Sequence, residues 1–345
     1  MHIPDGYLGP QTYVTMYGVM TPFWIAAARK VRKTLKARQA PLLALGAVFS
    51  FVIMMFNVPA PGGSTGHAVG GALIAIVLGP WAAMLSISAA LVVQALLFGD
   101  GGITAIGANC FNMAVVMPFT AFAIYRLLSG GDAANDKRRA LAAGLAGYVS
   151  LNLAALATAV EFGIQPAIAH TANGTPLYAP YPLGVAVPAM MIEHALIFGF
   201  IEAAVTGLVV GWLAKAEPSL LGIRRAAETT PAPVRAKSPA RALWYGLGAL
   251  VILSPIGLIA SGTAWGEWAA DEIGDTLGFI PAGLEKIGGL WNAVFPDYTI
   301  PGLSGTAGAI AAYIISAAIG VAVTGAAIFA LSKLLVGRNT NTASE

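Results

Sequence analysis

The chain begins Met1-His2, and that pair is equipped to chelate a metal. A free α-amine, the His2 amide nitrogen once deprotonated, and a His2 ring nitrogen close two chelate rings on one cation. Three nitrogens in one plane suit Ni(II), Cu(II) or square-planar Co(II). The opening MHIPDGYLGP has no charged n-region, no apolar h-region and no small-residue cleavage site, so it does not read as a removable signal peptide. His2 is too large to permit methionine removal, so the expected mature terminus is Met1.

The other histidines are His67, His170 and His194. His67 lies in PAPGGSTGHAVGGAL, where Gly62, Gly63 and Gly66 permit close backbone approach. An imidazole there is able to add a fourth nitrogen to the plane begun by Met1 and His2. It reads equally as an interfacial histidine hydrogen-bonded to its own loop. His170 sits in a Pro- and Gly-rich loop. His194 is flanked by Glu193 and Glu202, and ionisable residues inside a membrane segment are functional candidates by default. On an unbroken helix Glu193 and Glu202 face about 180° apart, so they cannot share one site without a break. Polar contact between helices, or with a partner subunit, is the expected role of this trio. Asp5, Asn109 and Asn112 are supporting candidates: Asp5 to orient a histidine ring, the two asparagines to hold the N-terminal segment or to cap a helix end.

The elements that must position these residues are membrane helices. The chain is 57% hydrophobic and 10% charged, against about 25% charged in soluble domains. Runs long enough for the hydrocarbon core fall near 13–29, 41–57, 67–79, 81–98, 108–128, 140–161, 184–214, 243–261 and 306–335. The third is short and glycine-rich, and Gly79-Pro80 separates it from the fourth. With nine spans and the N-terminus outside, Lys286 alone among the 19 basic residues lies outside. That matches the positive-inside bias; merging spans three and four would reverse most of it. Met1, His2 and His67 then share the outer face, and the C-terminus is cytoplasmic. The expected fold is an all-α polytopic bundle in the cell membrane.

The polar, basic stretch 215–241 reads as a flexible cytoplasmic linker between a seven-span core, 1–214, and a two-span tail, 242–345. The tail's outer loop, 262–305, carries Glu267, Asp271, Glu272, Asp275, Glu285 and Asp297, with Trp265, Trp268 and Trp291. The carboxylates either concentrate cations or belong to an ordinary solvated loop, and the tryptophans read as interfacial anchors. The final NTNTASE is a polar tail. The single cysteine, Cys110, in an apolar context, reads as a buried structural thiol. No GxxxxGK[ST], HExxH or GxSxG motif occurs, so the chain is not expected to be an enzyme or to hydrolyse ATP itself. Neither a resident cofactor nor a nucleic-acid partner is expected.

MHIPDGYLGP together with STGHAVGGAL resembles the CbiM/NikM proteins, the membrane-embedded substrate-binding subunits of energy-coupling-factor (ECF) cobalt and nickel importers. The resemblance covers about residues 1–215. It implies that the ion is held by the Met1 amine, the His2 amide and ring, and the His67 ring. It implies too that a transmembrane coupling subunit and two cytoplasmic ATPase subunits power uptake. PAGLEKIGGLW and FPDYTIPGLSG resemble the PDGLE-type tail of fused nickel/cobalt subunits, although Pro281-Ala282-Gly283 stands where an Asp is expected. A stand-alone secondary permease for divalent metals is the alternative, with Glu202 as its mid-membrane ionisable group.

Overall fold

A computed structural model describes residues 1–34, 40–131, 134–223, 239–260 and 262–336. Lys36, Arg38, most of the expected linker (224–238) and the NTNTASE end lie outside the described residues. The fold is an all-α bundle whose helices follow the apolar runs. Helices α1 (Pro10–Thr34) and α2 (Ala40–Met54) come first, then α3 (Gly71–Leu78) and α4 (Pro80–Val93). They are followed by α5 (Ile106–Cys110), α6 (Met117–Leu128), α7 (Asp136–Gly163) and the short α8 (Gln165–Ile168). The core closes with α9 (Leu183–Glu193) and α10 (Gly199–Ala216). The tail supplies α11 (Pro239–Leu253), α12 (Ala270–Leu277), α13 (Ala282–Ile287) and α14 (Gly305–Val336).

Among the described residues, six helical stretches are long and apolar enough to cross a membrane: Pro80–Phe98, Ile106–Leu128, Asp136–Ile168, Leu183–Ala216, Ala242–Ile259 and Gly305–Leu335. They lie on the fourth to ninth expected spans. The protein is a multi-pass membrane protein. α7 packs against α6, α9 and α10, and α14 lies against α2 and α4, so the tail is part of the bundle.

The expected bounds of the third span, 67–79, are corrected. Only Gly71–Leu78 is helical, about 12 Å at 1.5 Å per residue against a core of about 30 Å. Gly70 precedes it in the left-handed region, with φ 73°, and ends any helix running in from 67. α2 is also short, at 15 residues. The connecting segment 55–70 therefore sinks into the bundle. It is pinned by a two-residue antiparallel pairing of β1 (Val58–Pro59) with β2 (Thr65–Gly66), and residues 64–70 are all buried.

Three π-helical turns interrupt the long helices, at Gln94–Phe98, Phe111–Val116 and His194–Phe198. Such turns shift the helical register by one residue and concentrate at functional positions. Each here contains one of the polar residues described below.

The reading of the tail segment 262–305 is corrected as well. That segment folds onto the N-terminal one and is no plain solvated loop. Ile273 and Leu284 from the tail are buried with Ile3, Tyr7, Leu8 and Phe162 in one apolar cluster. Trp265 and Trp268 pack on each other and on Tyr181 at ring separations of 4.9–5.8 Å. Trp291 donates its indole N–H to the Leu96 carbonyl at 3.0 Å. All three tryptophans thus have partners within the protein. Lipid-facing anchors need none.

Candidate metal centre

The N-terminal segment enters one end of the bundle and is held by main-chain complementarity. Asn109, in α5, clamps Ile3 from both sides: its Oδ1 accepts the Ile3 N–H at 2.8 Å and its Nδ2 donates to the Ile3 carbonyl at 3.2 Å. The Gly102 N–H donates to the same carbonyl at 2.8 Å. Gly102 must be glycine, because a Cβ there would run into the Asp5 backbone. Asp5 accepts the N–H groups of Ile103 (3.0 Å) and Thr104 (2.8 Å) and the Thr104 hydroxyl. Further along, the Gly9 N–H donates to Gln165 Oε1 at 2.9 Å. These bonds fix residues 3–9 and leave Met1 and His2 projecting into the buried interior.

Replacing Asn109 with alanine leaves the buried Ile3 N–H without an acceptor, a loss of about 1–3 kcal/mol. We expect Asn109→Ala to lower the thermal stability of the detergent-purified protein and to free the first residues for proteolysis. Unchanged melting and proteolysis would show that the clamp contributes nothing.

Met1 is 5% and His2 1% exposed. The α-ammonium lies 3.1 Å from Glu267 Oε1 of the tail. The His2 ring faces the His67 ring, with centroids 5.2 Å apart and planes tilted by 42°. His67 Nδ1 is 3.1 Å from its neighbour's carbonyl, Ala68 O. If Nδ1 carries the proton of that bond, the Nε2 lone pair is left to face the site. His2 Nδ1 is 3.1 Å from Asp100 Oδ1, but misaligned for a hydrogen bond, and both His2 ring nitrogens are buried without one. Nor does the His2 amide donate a hydrogen bond among the described residues. Buried polar atoms without partners are costly, and His2 carries two of them on one ring.

Burial keeps both rings neutral. It draws His2 down to about 4; Glu267 opposes this and the ammonium adds to it. Burial draws His67 down to about 3, reinforced by His2 and the ammonium. Neutral imidazoles offer lone pairs to a metal without first losing a proton.

Asp100 is the hub beside His2. Its Oδ2 accepts the Tyr298 hydroxyl at 2.6 Å and the Gln94 amide at 3.2 Å, and Gln94 also donates to the Tyr298 oxygen at 3.1 Å. Tyr298 and Glu267 both come from the tail, so the tail reaches the site at two separate points. Neither contact has a local sequence signal, because the partners are about two hundred or more positions apart.

Two supporting expectations are corrected. Asp5 binds the 103–104 backbone and touches no histidine ring. Asn112 donates to Thr158 at 3.0 Å and to Glu161 at 2.7 Å, away from the N-terminal segment. The π turn that begins at Phe111 rotates it off the face that Asn109 occupies. His170 is exposed, with Nδ1 at 3.0 Å from the Pro166 carbonyl. His194 is buried, with Nδ1 at 2.8 Å from the Met190 carbonyl and its ring edge-on to Phe198. Cys110 is a buried free thiol.

Among the described residues no three His, Cys, Asp or Glu side chains converge as a metal-binding group. The donors gathered here are instead two imidazoles and main-chain nitrogens at the chain's start. Such a set favours a planar, nitrogen-rich complex over an oxygen-rich one.

Comparisons with known proteins find relatives named for metal transport. Residues 2–220 match the family described as "CbiM: Cobalt uptake substrate-specific transmembrane region", and residues 240–337 match the PDGLE domain. A fused nickel transport protein of Rhodobacter capsulatus is 49% identical over 95% of this chain and 96% of its own length. A probable fused nickel transport protein of Lactiplantibacillus plantarum is 44% identical over 92% of this chain and 93% of its own. A crystal structure described as a truncated transition metal transporter has a TM-score of 0.58 and 53% identity, covering 62% of this chain and 99% of that one.

Proposed function

The chain belongs to the CbiM family of cobalt-uptake transmembrane proteins and carries a PDGLE domain behind the family region; on that premise we propose that it is the metal-capturing subunit of an ATP-driven ECF-type importer for Ni(II) or Co(II). The observation that carries this reading is the cluster of unpartnered His2 nitrogens beside the α-amine and the His67 ring. In this reading the ion is bound by the Met1 amine, the His2 amide and ring nitrogens, and the His67 ring. Nickel is the first choice of cargo. A four-nitrogen plane suits its d-electron count, and two fused relatives of nearly full length are named for nickel transport.

The sequence of events follows from charge and coordination. The tail's acidic groups, Glu267 foremost, attract a hydrated cation to the outer end. The ammonium gives up its proton and its ion pair with Glu267, the incoming metal takes the place of the His2 amide proton, and both protons leave to solvent water. Capture is therefore coupled to proton release. The rings, already neutral, complete the plane and displace the remaining water. In this arrangement the N-terminus is outside, and the ion leaves on the cytoplasmic side.

In this reading ATP is hydrolysed by partners, and the chain itself carries no phosphate-binding loop. A transmembrane coupling subunit and two cytoplasmic ATPase subunits supply the driving force. The test is nickel accumulation in cells that lack other nickel importers. The full chain expressed with its coupling and ATPase subunits is expected to support uptake, and the chain with inactive ATPase subunits is not. Undiminished uptake without ATP hydrolysis would support a stand-alone permease instead.

A further inference from the structure

The segment that presents His67 is bonded by Ser50 of α2 and by the Trp265 N–H of the tail, and is gripped repeatedly by one interrupted helix, α9–α10. Glu202, in α10, is fully buried. Its Oε2 accepts the backbone N–H groups of Val69 at 2.9 Å and Gly70 at 3.0 Å, and its Oε1 accepts the Thr206 hydroxyl at 3.3 Å. Val69 and Gly70 lead directly into α3, whose cap position, Gly70, has no side chain to satisfy the helix's first donors. A carboxylate from another helix performs that task, at the end of α3 where negative charge is favoured.

The same helix grips the segment twice more. Glu193, at the end of α9, accepts the Ser64 hydroxyl at 3.1 Å. Phe198, in the intervening π turn, lies so close to Gly66 that a Cβ at 66 would meet its ring. The π turn makes this possible. On a regular helix the two carboxylates are about 180° apart, and absorbing one residue in a π turn brings them to about 80°. Both then face the 64–70 segment.

We infer that Glu202 is a positioning residue for the metal site, fixing through Val69 and Gly70 the backbone that aims His67 at His2 and the α-amine. This rests on His67 being a ligand, as proposed above. The carboxylate touches no ligand atom. It acts by removing the freedom of a glycine-bordered loop whose natural tendency is to wander. Outer contacts that orient a metal-binding imidazole are commonly worth about ten- to hundredfold in metal affinity.

The experiment is Ni(II) titration of the full-length, metal-free protein in detergent, following both affinity and the visible absorption band of the bound ion. Glu202→Ala is expected to weaken binding about ten- to hundredfold and to shift the band towards that of His67→Ala. Glu202→Gln keeps an acceptor oxygen and is expected to retain the wild-type band. In the His67→Ala background, Glu202→Ala should add no further loss, because both substitutions act on one donor. Additive losses, or a wild-type band and affinity in Glu202→Ala, would overturn the assignment. Should Glu202→Ala fail to fold, Glu202→Asp decides: its shorter reach should weaken binding and shift the band, and an unshifted band counts against the proposal. A His67→Ala protein with wild-type affinity and band would refute the ligand reading itself, whatever Glu202 does.

Discussion

Acetylating the α-amine of Met1 should abolish high-affinity Ni(II) binding while leaving the protein folded. An acetylated nitrogen is an amide, with no lone pair to donate until it loses a proton. The first chelate ring, closed by the amine and the His2 amide, cannot form as it does in the native chain. Losing a chelating donor from a four-donor set is expected to weaken binding by more than about a thousandfold, roughly 4 kcal/mol. Acetylation also removes the charge that pairs with Glu267 at 3.1 Å, so a control is needed. Glu267→Gln removes the pair but keeps the amine, and it should retain Ni(II) binding with a changed rate of loading. If the acetylated protein binds normally, the amine is no ligand. If Glu267→Gln loses binding as completely as acetylation does, the ion pair is the essential feature and the chelate is not.

What the sequence made legible follows a physical boundary. Chemistry carried by adjacent residues was readable: the chelate at Met1-His2 needs no tertiary information, and the long apolar runs predict helices because a bilayer imposes length and composition. Asn109 was readable as a supporting residue because it opens an expected span on the face expected to hold Met1 and His2. The rest depends on features without a local signature. A π turn leaves no mark in composition, yet one rotates Asn112 away from Asn109 and another brings Glu193 and Glu202 to the same side. The third apolar run reads as helical from 67 because hydropathy does not register what Gly66 and Gly70 do to the backbone. The tail's tryptophans fitted an interfacial pattern equally well, and only the packing of Trp265 and Trp268 on Tyr181 distinguishes the two. Glu267 and Tyr298 reach the site across most of the chain's length, so pairing them with Met1 and Asp100 required the fold.

His67→Ala is expected to leave the fold intact and to cut Ni(II) affinity by about a hundredfold or more, about 3 kcal/mol. The argument begins with what holds the ring. His67 has one recorded hydrogen bond, to its neighbour's carbonyl, and its other large contact is the His2 ring. The segment around it is secured by Ser64, Val69 and Gly70, not by the imidazole. Deleting the ring therefore removes little of the scaffold. It leaves the Met1-His2 chelate with three nitrogens and a fourth position open to water. Water is a weaker-field donor than imidazole, so the absorption band of bound Ni(II) should move to longer wavelength even at saturating metal. That spectral shift separates a variant in which the His67 ring has left the plane from one that keeps all four nitrogens and only binds more weakly. It also separates His67 from His194, which is buried nearby but already bonded to Met190 and packed on Phe198. His194→Ala should leave the band where it is, and a band that moved in that variant while staying fixed in His67→Ala would transfer the fourth position to His194.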